Sequence, residues 1–514
     1  MKTCLLSMMF MSLCPFLLTA QVDTAWVRRF NGSGNAGDYA QDIAVDDSGY
    51  VYVTGGSVGI GTDYDDLTIK YDPSGDTVWV RRYNAPGFAG DGGDVIVVDQ
   101  SGNVYVTGFG ARLGGGIDCA TLKYYPNGDT AWVRMYDGPA SYYNEAFGIA
   151  VDNAGNVYAS CESAGYGTSA DYATLKYYPN GDTAWVRRYN GPANGSDVVW
   201  SLAIDGLSNV YVTGESQGLG GSADYVTIKY YASGDTAWVR RYNGSGNDYD
   251  RAYDIAVDSS GGVYVTGGSS GFGTSLDCLT IKYDSYGNVV WARMYNGPAD
   301  GWDEARAIAI DDSCNVYITG ESQGLGGSAD YVTIKYYANG DTAWVRRYNG
   351  SGNDYDRAYD IAVDSSGGVY VTGGSHGYGT SLDYATIKYG PNGDPVWCMR
   401  YNAPENSWDD ARNMTIDNSG NVYVTGHAAG LGPYADFVTI KYVQTTEIKE
   451  EDTFASEHNA FTTTILSGPL QLPEGKKCRI FDITGRVVEP DRITPGIYFL
   501  EIDNKVVQKV IKIK

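Results

Sequence analysis

Between Val22 and Tyr442 the apolar residues fall in short runs of four to six, not in the three-and-four spacing of a helix face. The runs recur in a fixed order. DIAVD (Asp254 to Asp258) leads through Ser-Ser-Gly-Gly into VYVTG (Val263 to Gly267), and a Gly-rich loop follows. Then come TIKY (Thr280 to Tyr283), a Gly-containing turn, and a run of the type AWVRRY (Ala237 to Tyr242). β-Branched and aromatic runs bounded by Gly, Asp, Asn and Ser predict strands joined by tight turns, two hairpins to each set of four.

The sets repeat with one period. The tryptophans of the fourth run stand at Trp26, Trp79, Trp132, Trp185, Trp238, Trp291, Trp344 and Trp397, and every gap is 53. The tyrosines of VYVTG, from Tyr52 to Tyr423, and the lysines of TIKY, from Lys70 to Lys441, keep the same interval. One stretch, RRYNGSGNDYDRAYDIAVD, occurs unchanged at Arg240 to Asp258 and at Arg346 to Asp364, two periods apart. A unit of about 50 residues with four antiparallel strands is a propeller blade. The chain opens on a lone fourth strand, VDTAWVRRF, and closes on a first, second and third strand ending at Tyr442. The predicted fold is therefore all-β, an eight-bladed β-propeller whose N-terminal strand completes the last blade and leaves no free edge. A seven-bladed ring with one unit outside it is the alternative. The tryptophans read as core between blades.

The repeat resembles the SBBP family of bacterial propeller repeats, on the motif D-Y-x-T-[IL]-K-Y, G-[DN]-x-x-W and IAVD-x-x-G-N-V-Y-V-T-G, present with small departures in all eight units from Val22 to Tyr442. The family's name implies seven blades, and the resemblance brings a fold without a defined activity. After Tyr442 the period stops. Residues 443–458 are polar and unpatterned, a linker. From Asn459 to Lys514 the runs RIFDITGRVV, GIYFLEID and KVVQKVIKIK predict a small β-sandwich. This segment resembles the C-terminal sorting domain, type A, of the type IX secretion system, on Asn459 to Phe461, Asp482, Gly485, Arg486, Gly496, Tyr498, Lys512 and Lys514. The resemblance implies recognition by that secretion machinery and release or attachment at the cell surface.

Residues 1–20, MKTCLLSMMFMSLCPFLLTA, carry a Lys, an apolar run and a small-residue exit, and predict a secretory signal peptide cut after Ala20. No later apolar run is long enough for a transmembrane segment. The net charge of −25 is spread along the chain without a basic stripe, which argues against nucleic acid and anionic membranes as partners. Six cysteines outside the leader, Cys119, Cys161, Cys278, Cys314, Cys398 and Cys478, have no paired spacing and read as isolated thiols.

Repetition itself sorts the polar residues. Asp65, Asp118, Asp171, Asp224, Asp277, Asp330, Asp383 and Asp436 recur in every unit, and Asp38, Asp91, Asp197, Asp250, Asp303, Asp356 and Asp409 in all but one, where Asn144 stands. Both columns read as carboxylates holding loop N–H groups. A repeated Ca²⁺ site, with Asp250 and Asp356 as ligands in the NGSGNDYD loops, is the functional alternative. Residues that break the symmetry are the better candidates for a ligand. They are Tyr142, Tyr143, Glu145, Trp200, Tyr249, Trp302, Glu304, Arg306, Tyr355, Trp408 and Arg412 on the loops between units, and Glu162, Glu215, Glu321 and His427 on the loops after VYVTG, where three units have Gly. These connections read as the long ones and so mark the ligand face. Aromatics beside carboxylates suit a sugar, whose apolar face stacks while its hydroxyls bond to acids; filling of crevices between loops is the plainer account.

No nucleophile elbow, P-loop or zinc pattern stands out, and no catalytic residue or other cofactor is assigned. The expectation is a secreted or surface-displayed, non-catalytic binding or adhesion module for carbohydrate or a cell-surface protein. A polysaccharide-active hydrolase or lyase, or a structural surface-layer component, are the alternatives. Two near-identical units, Glu215 to Asp277 and Glu321 to Asp383, suggest a copied binding face and multivalency.

Overall fold

The computed structural model describes residues 21–87, 90–271, 275–430 and 434–445, and in the C-terminal segment 462–466, 478–482, 486–490, 493–494, 496–502 and 505–512. The expected leader, most of the linker, and the signature residues Asn459 to Phe461, Gly485 and Lys514 lie outside them. Among the described residues no helix is long and apolar enough to cross a membrane. The chain divides into two units, residues 18–447 and a second that holds 448–514.

The first unit is eight four-stranded antiparallel sheets. Blade 1 runs Asp38–Val45, Val51–Val58, Tyr64–Tyr71 and Thr77–Tyr83, and each later blade repeats it. The first strands touch one another all the way round, blade 1 meeting blade 8, so they line the axis and the fourth strands lie outermost. In blade 8 the outer strand is Gln21–Phe30, paired antiparallel with Ala435–Thr445. The ring therefore closes on eight blades, and the seven-plus-one alternative falls.

The seams explain the repeat. Trp79, 6% exposed, sits between Tyr52 of its own blade and Tyr124 of the next, with centroids 6.3 and 6.1 Å away. Its Nε1 donates to the Pro126 carbonyl at 3.1 Å, so the largest apolar group of the unit also pins the next blade's turn. Arg81 lies over the ring at 5.6 Å and donates to the Gly128 carbonyl at 2.5 Å. The Gly of each G-[DN] turn is needed there: Gly128 has φ +84°, and a Cβ would come within 2.7 Å of Arg81 and 2.9 Å of Trp79. At the join Trp26 fills the same role between blades 8 and 1, 6.3 Å from Tyr423 and 6.0 Å from Tyr71. The Asp closing each IAVD run holds its turn: Asp99 accepts from Ser101 N and Asn103 N at 2.9 Å and from the Tyr105 hydroxyl at 2.9 Å.

The two aspartate columns separate. Asp65, Asp171, Asp224, Asp330 and Asp383 pair with outer-strand arginines, as in Arg82–Asp65 at 2.9 Å and Arg241–Asp224 at 2.7 Å, a correction to the expected loop N–H role. Where the outer strand has Met135 instead, Asp118 turns to Arg112 at 3.7 Å. Asp38, Asp91, Asp197, Asp250, Asp303, Asp356 and Asp409 do accept loop N–H groups, Gly244 N donating to Asp250 at 2.7 Å and Gly350 N to Asp356 at 2.7 Å. The six described cysteines are free.

In the second unit the described strands, Thr462–Leu466, Cys478–Asp482, Gly496–Ile502 and Lys505–Lys512, form one four-stranded sheet in which the first and last are parallel. Tyr498 is buried there, its hydroxyl donating to the Thr494 carbonyl at 3.0 Å.

Candidate functional site

The site is set by a kink. In every blade the first strand carries a β-bulge, between Ala40 and Asp42 in blade 1 and at the equivalent place in the other seven. A bulge leaves one extra residue unpaired and re-aims its side chain. The eight bulged residues are Gln41, Asp94, Phe147, Trp200, Tyr253, Arg306, Tyr359 and Arg412. Several of them meet their neighbours around the axis: Phe147 and Trp200 centroids are 5.3 Å apart, Trp200 and Tyr253 5.9 Å, and Arg306 lies 4.5 Å over Tyr253. Arg412 lies 4.9 Å over Tyr359.

Two more positions join this ring. Two residues before the bulge come Tyr39, Gly92, Glu145, Val198, Arg251, Glu304, Arg357 and Asp410; opposite them on the second strand come Gly56, Phe109, Glu162, Glu215, Gly268, Glu321, Gly374 and His427. Glu145, Trp200, Glu304, Arg306, Arg412, Glu162, Glu215, Glu321 and His427 are thus strand residues at the loop end of the axis, which corrects their placement on loops. The reason is the bulge, which breaks the two-residue alternation and hides the first half of each inner strand. Loop length is corrected as well. The connection after the second strand, residues 59–63 in blade 1, is as short as the hairpin turn at 46–50, and only that between blades, at 84–91, is long.

Tyr143, Tyr249, Trp302, Tyr355 and Trp408 do lie on the inter-blade loops, one residue before the inner strand, and Tyr142 one before that. They are exposed, Trp302 most among them at 57%, apart from Tyr142. Trp200 is instead part of the packed ring, its Nε1 buried without a partner. At the tips of the loops after the second strand, Ile60, Leu113, Tyr166, Leu219, Leu325 and Tyr378 are strongly exposed. The loop face therefore has apolar tips around a polar centre.

Charge around that centre is uneven. Arg251 donates to Glu215 at 2.7 Å, and Arg357 to Glu321 at 2.9 Å, each arginine standing thirty-six residues after its glutamate and reaching it across a seam. Arg306 binds Glu304 and, at 3.0 Å, Glu321. Tyr355 donates to Glu321 and Arg357 to Tyr355. This half of the ring is neutralised; despite burial, Arg357 and Arg306 hold Glu321 below the usual carboxylate range. The other half is acidic. Among the described residues the Glu145 carboxylate accepts only the Tyr143 hydroxyl, and burial raises it. The Glu162 carboxylate has no cation or hydrogen bond among the described residues, because the residue thirty-six further on is Val198. Burial, then the charges of Glu145 and Glu215, push Glu162 up to about 7. Burial, with Glu145, Asp66 and Asp42 beside it, raises Asp94 well above the normal range.

In blade 8, Asp410 and His427 are buried at 1% and 2% exposure. Burial, then Arg412, lowers His427 to about 3, so its ring is neutral, wedged 4.8 Å from Trp408 and 5.0 Å from Tyr39. Burial raises Asp410 to about 6 against the pull of Arg412. Asp94 Oδ2, Trp200 Nε1, Arg306 Nε, Asp410 Oδ1, Arg412 Nε and both His427 nitrogens are buried without a protein partner. All of them lie on the three positions of this ring. Deeper along the axis Asp42 and Asp360 accept N–H groups from the next blade, Ile96 at 2.7 Å and Met414 at 2.8 Å, and burial raises both to about 7.

Asp94, Asp410, Tyr253 and Tyr359 are site residues that sequence reasoning misses. A signal exists for Asp94, Tyr253 and Tyr359, since their column holds six residue types in eight units while the column just before it is Ala in six. On the opposite face, grooves of about 300–430 Å³ lie between blades, one lined by Asp46, Tyr52, Lys70, Asp99 and Pro126. Their polar groups serve the seams, as Lys70 Nζ does in donating to the Pro126 carbonyl at 3.2 Å.

Residues 25–64, 237–273 and 343–379 match the SBBP β-propeller repeat. An uncharacterised WD repeat-containing protein, L264 of Acanthamoeba polyphaga mimivirus, is 24% identical over 344 residues, which is 54% of this chain and 24% of that protein. The chain thus spans about a quarter of that relative's length. Among solved structures, the WD40 domain of SCAP from fission yeast is similar at 8% identity and a TM-score of 0.46, over 82% of this chain and 98% of that one. Drosophila Semaphorin 1b, extracellular domains 1-2, is similar at 10% identity and a TM-score of 0.40, over 83% and 88%. Period, seam chemistry and ring closure make the chain an eight-bladed β-propeller, and three stretches of it match the SBBP β-propeller repeat.

Proposed function

We propose that the propeller is a non-catalytic binding or adhesion module, secreted or held at the cell surface, that grips a carbohydrate or a surface protein at the loop-face end of its axis. Export through the leader and delivery by the type IX machinery through the C-terminal domain belong to the same proposal. One observation carries the reading of the site: the residues that break the eightfold repeat converge on the ring, and seven of its buried polar atoms lack protein partners. A ring with a purely architectural role would repeat as the seams do. Exposed Trp302 and Trp408 beside it offer rings for stacking. The test is binding of the full chain to a glycan array and to surface-protein extracts, repeated with Trp302→Ala/Trp408→Ala. Loss of binding with an unchanged melting temperature supports the reading; undiminished binding by the double variant refutes it.

One observation favours a second reading, a polysaccharide-active hydrolase or lyase. Glu145 and Glu162 are direct cross-strand partners, and Glu162 titrates at about 7, where an acid–base group works at neutral pH. Turnover of a polysaccharide that Glu162→Gln abolishes would establish it.

A further inference from the structure

The repeat supplies its own template for what binds at the acidic half of the ring. Glu162, Glu215 and Glu321 occupy one position in blades 3, 4 and 6. In two of the three a guanidinium from the following blade meets the carboxylate, Arg251 on Glu215 and Arg357 on Glu321. Each guanidinium also lies over aromatic rings: Arg251 over Tyr249 at 5.3 Å, Arg357 over Tyr355 at 5.0 Å and over the bulge residue Tyr359 at 5.8 Å. The third copy keeps the carboxylate and an aromatic bulge residue but not the cation, and Ser196 replaces the ring of Tyr249 and Tyr355. Val198 stands where the arginine would, and Trp200 holds the position of Tyr359, its Nε1 buried and unpartnered. Glu145, opposite Glu162, adds a second carboxylate with no counterpart at Glu215, which faces Val198.

We propose that Glu162 and Glu145, with the ring of Trp200, receive the guanidinium group of an arginine side chain presented by a peptide or protein partner. This rests on the binding-module reading above and names the partner's recognised group. Arginine suits the place better than a compact ammonium, since its planar fork can donate to carboxylates while its face stacks on an indole. No described residue of the acidic half supplies a competing cation, Arg251 being committed to Glu215.

The test uses the full chain and isothermal titration with acetyl-Gly-Arg-Gly-amide at pH 7.5, with the citrulline peptide as a neutral isostere. Saturable binding of the arginine peptide only, weakened at least tenfold in Glu162→Gln, is expected. Val198→Arg should place the protein's own guanidinium on Glu162, as in blades 5 and 7, and weaken binding at least as much while leaving the melting temperature unchanged or higher. Absence of saturable binding to the native chain, equal binding of the citrulline peptide, or undiminished binding to Val198→Arg would each overturn the proposal. So would a chito-oligosaccharide with free amines that binds with the same Glu162 dependence while the arginine peptide does not. Peptide binding that survives in Trp302→Ala/Trp408→Ala, while that variant keeps its array and extract binding, would uphold this site and refute the rim reading instead.

Discussion

Blades 3 and 6 contain the same two glutamates in the same register, Glu145 opposite Glu162 and Glu304 opposite Glu321, and treat them in opposite ways. In blade 6 the bulge residue is Arg306 and the next blade offers Arg357, so both carboxylates are buried and paired. In blade 3 the bulge residue is Phe147 and the next blade offers Val198. The contrast teaches that carboxylates alone do not define a site on this ring. What decides is whether the seam brings a cation, and the repeat makes that legible by showing both outcomes on one scaffold.

Three tests would sharpen the contrast. The largest effect is expected from Arg306→Ala, which strips buried Glu304 of its arginine and leaves Glu321 with Arg357 alone. Breaking a buried ion network by removing one partner costs about 3–5 kcal/mol, read from the denaturation midpoint at pH 7. No such loss should follow the removal of either glutamate in blade 3. If Arg306→Ala unfolds no more easily than the native chain, the neutralised half is not stabilised as described.

The second test is one substitution at two sites, with opposite signs. Glu321 is held below its ordinary value in the folded state, so its charge contributes stability above the unfolded value near 4.5, lost as the pH falls through the lower folded value. Glu321→Gln should therefore destabilise at pH 7, by about 3 kcal/mol, and the difference should shrink in acid. Glu162 is raised to about 7, so the folded state holds its proton more tightly than the unfolded one, and stability is lost as the pH rises from about 4.5 through 7. Glu162→Gln should match the native chain near pH 4 and exceed it above pH 7.5, by on the order of 2 kcal/mol after discounting for partial exposure. Asp42, Asp66 and Asp360 also titrate near 7. The difference between variant and native curves is therefore the quantity to read.

A smaller effect is expected at Tyr143, whose hydroxyl is the sole donor to Glu145 among the described residues. Tyr143→Phe removes one charge-assisted hydrogen bond at an exposed loop, worth about 1 kcal/mol, and should raise the Glu145 titration midpoint seen by carboxyl NMR. Tyr355→Phe, on the loop entering blade 7, should shift Glu321 less, because two arginines remain on it.

How much of this molecule is legible in its sequence depends on whether the signal is local. The blade period, the tryptophan seams and the closing strand are legible because each rests on a residue repeated every 53 positions. The identities of most ring residues are legible too, as departures from the repeat. Their placement is not. DIAVD looks like a whole strand, yet the strand begins four residues earlier, at Asp250, and the bulge at Tyr253 interrupts its alternation. Glu162 and Val198 are even less accessible, since their relation passes through a seam between blades and appears only once Arg251 on Glu215 reveals the thirty-six-residue offset.

The smallest expected effect concerns calcium, and it sets the ring apart from the repeated columns. Asp250 and Asp356 sit in oxygen-rich loops that could be mistaken for ligand cages. In each, however, one oxygen accepts the loop's own glycine N–H, from Gly244 and Gly350, and the other accepts a second-strand N–H, from Ser270 at 3.2 Å and His376 at 2.9 Å. Asp250 also accepts the Ser269 hydroxyl at 2.5 Å. Burial is the main cause that raises both, and a raised carboxyl is a poor ligand for a hard cation. Among the described residues no three His, Cys, Asp or Glu side chains gather to hold a metal ion. Melting temperatures in excess Ca²⁺ and in EDTA should therefore agree within about a degree, while Asp250→Asn, which keeps an acceptor for only part of that donor set, should melt several degrees lower. A chelator shift comparable to that of Asp250→Asn would move these loops from scaffold to metal site and make the columns, rather than the ring, the place where ligand chemistry repeats.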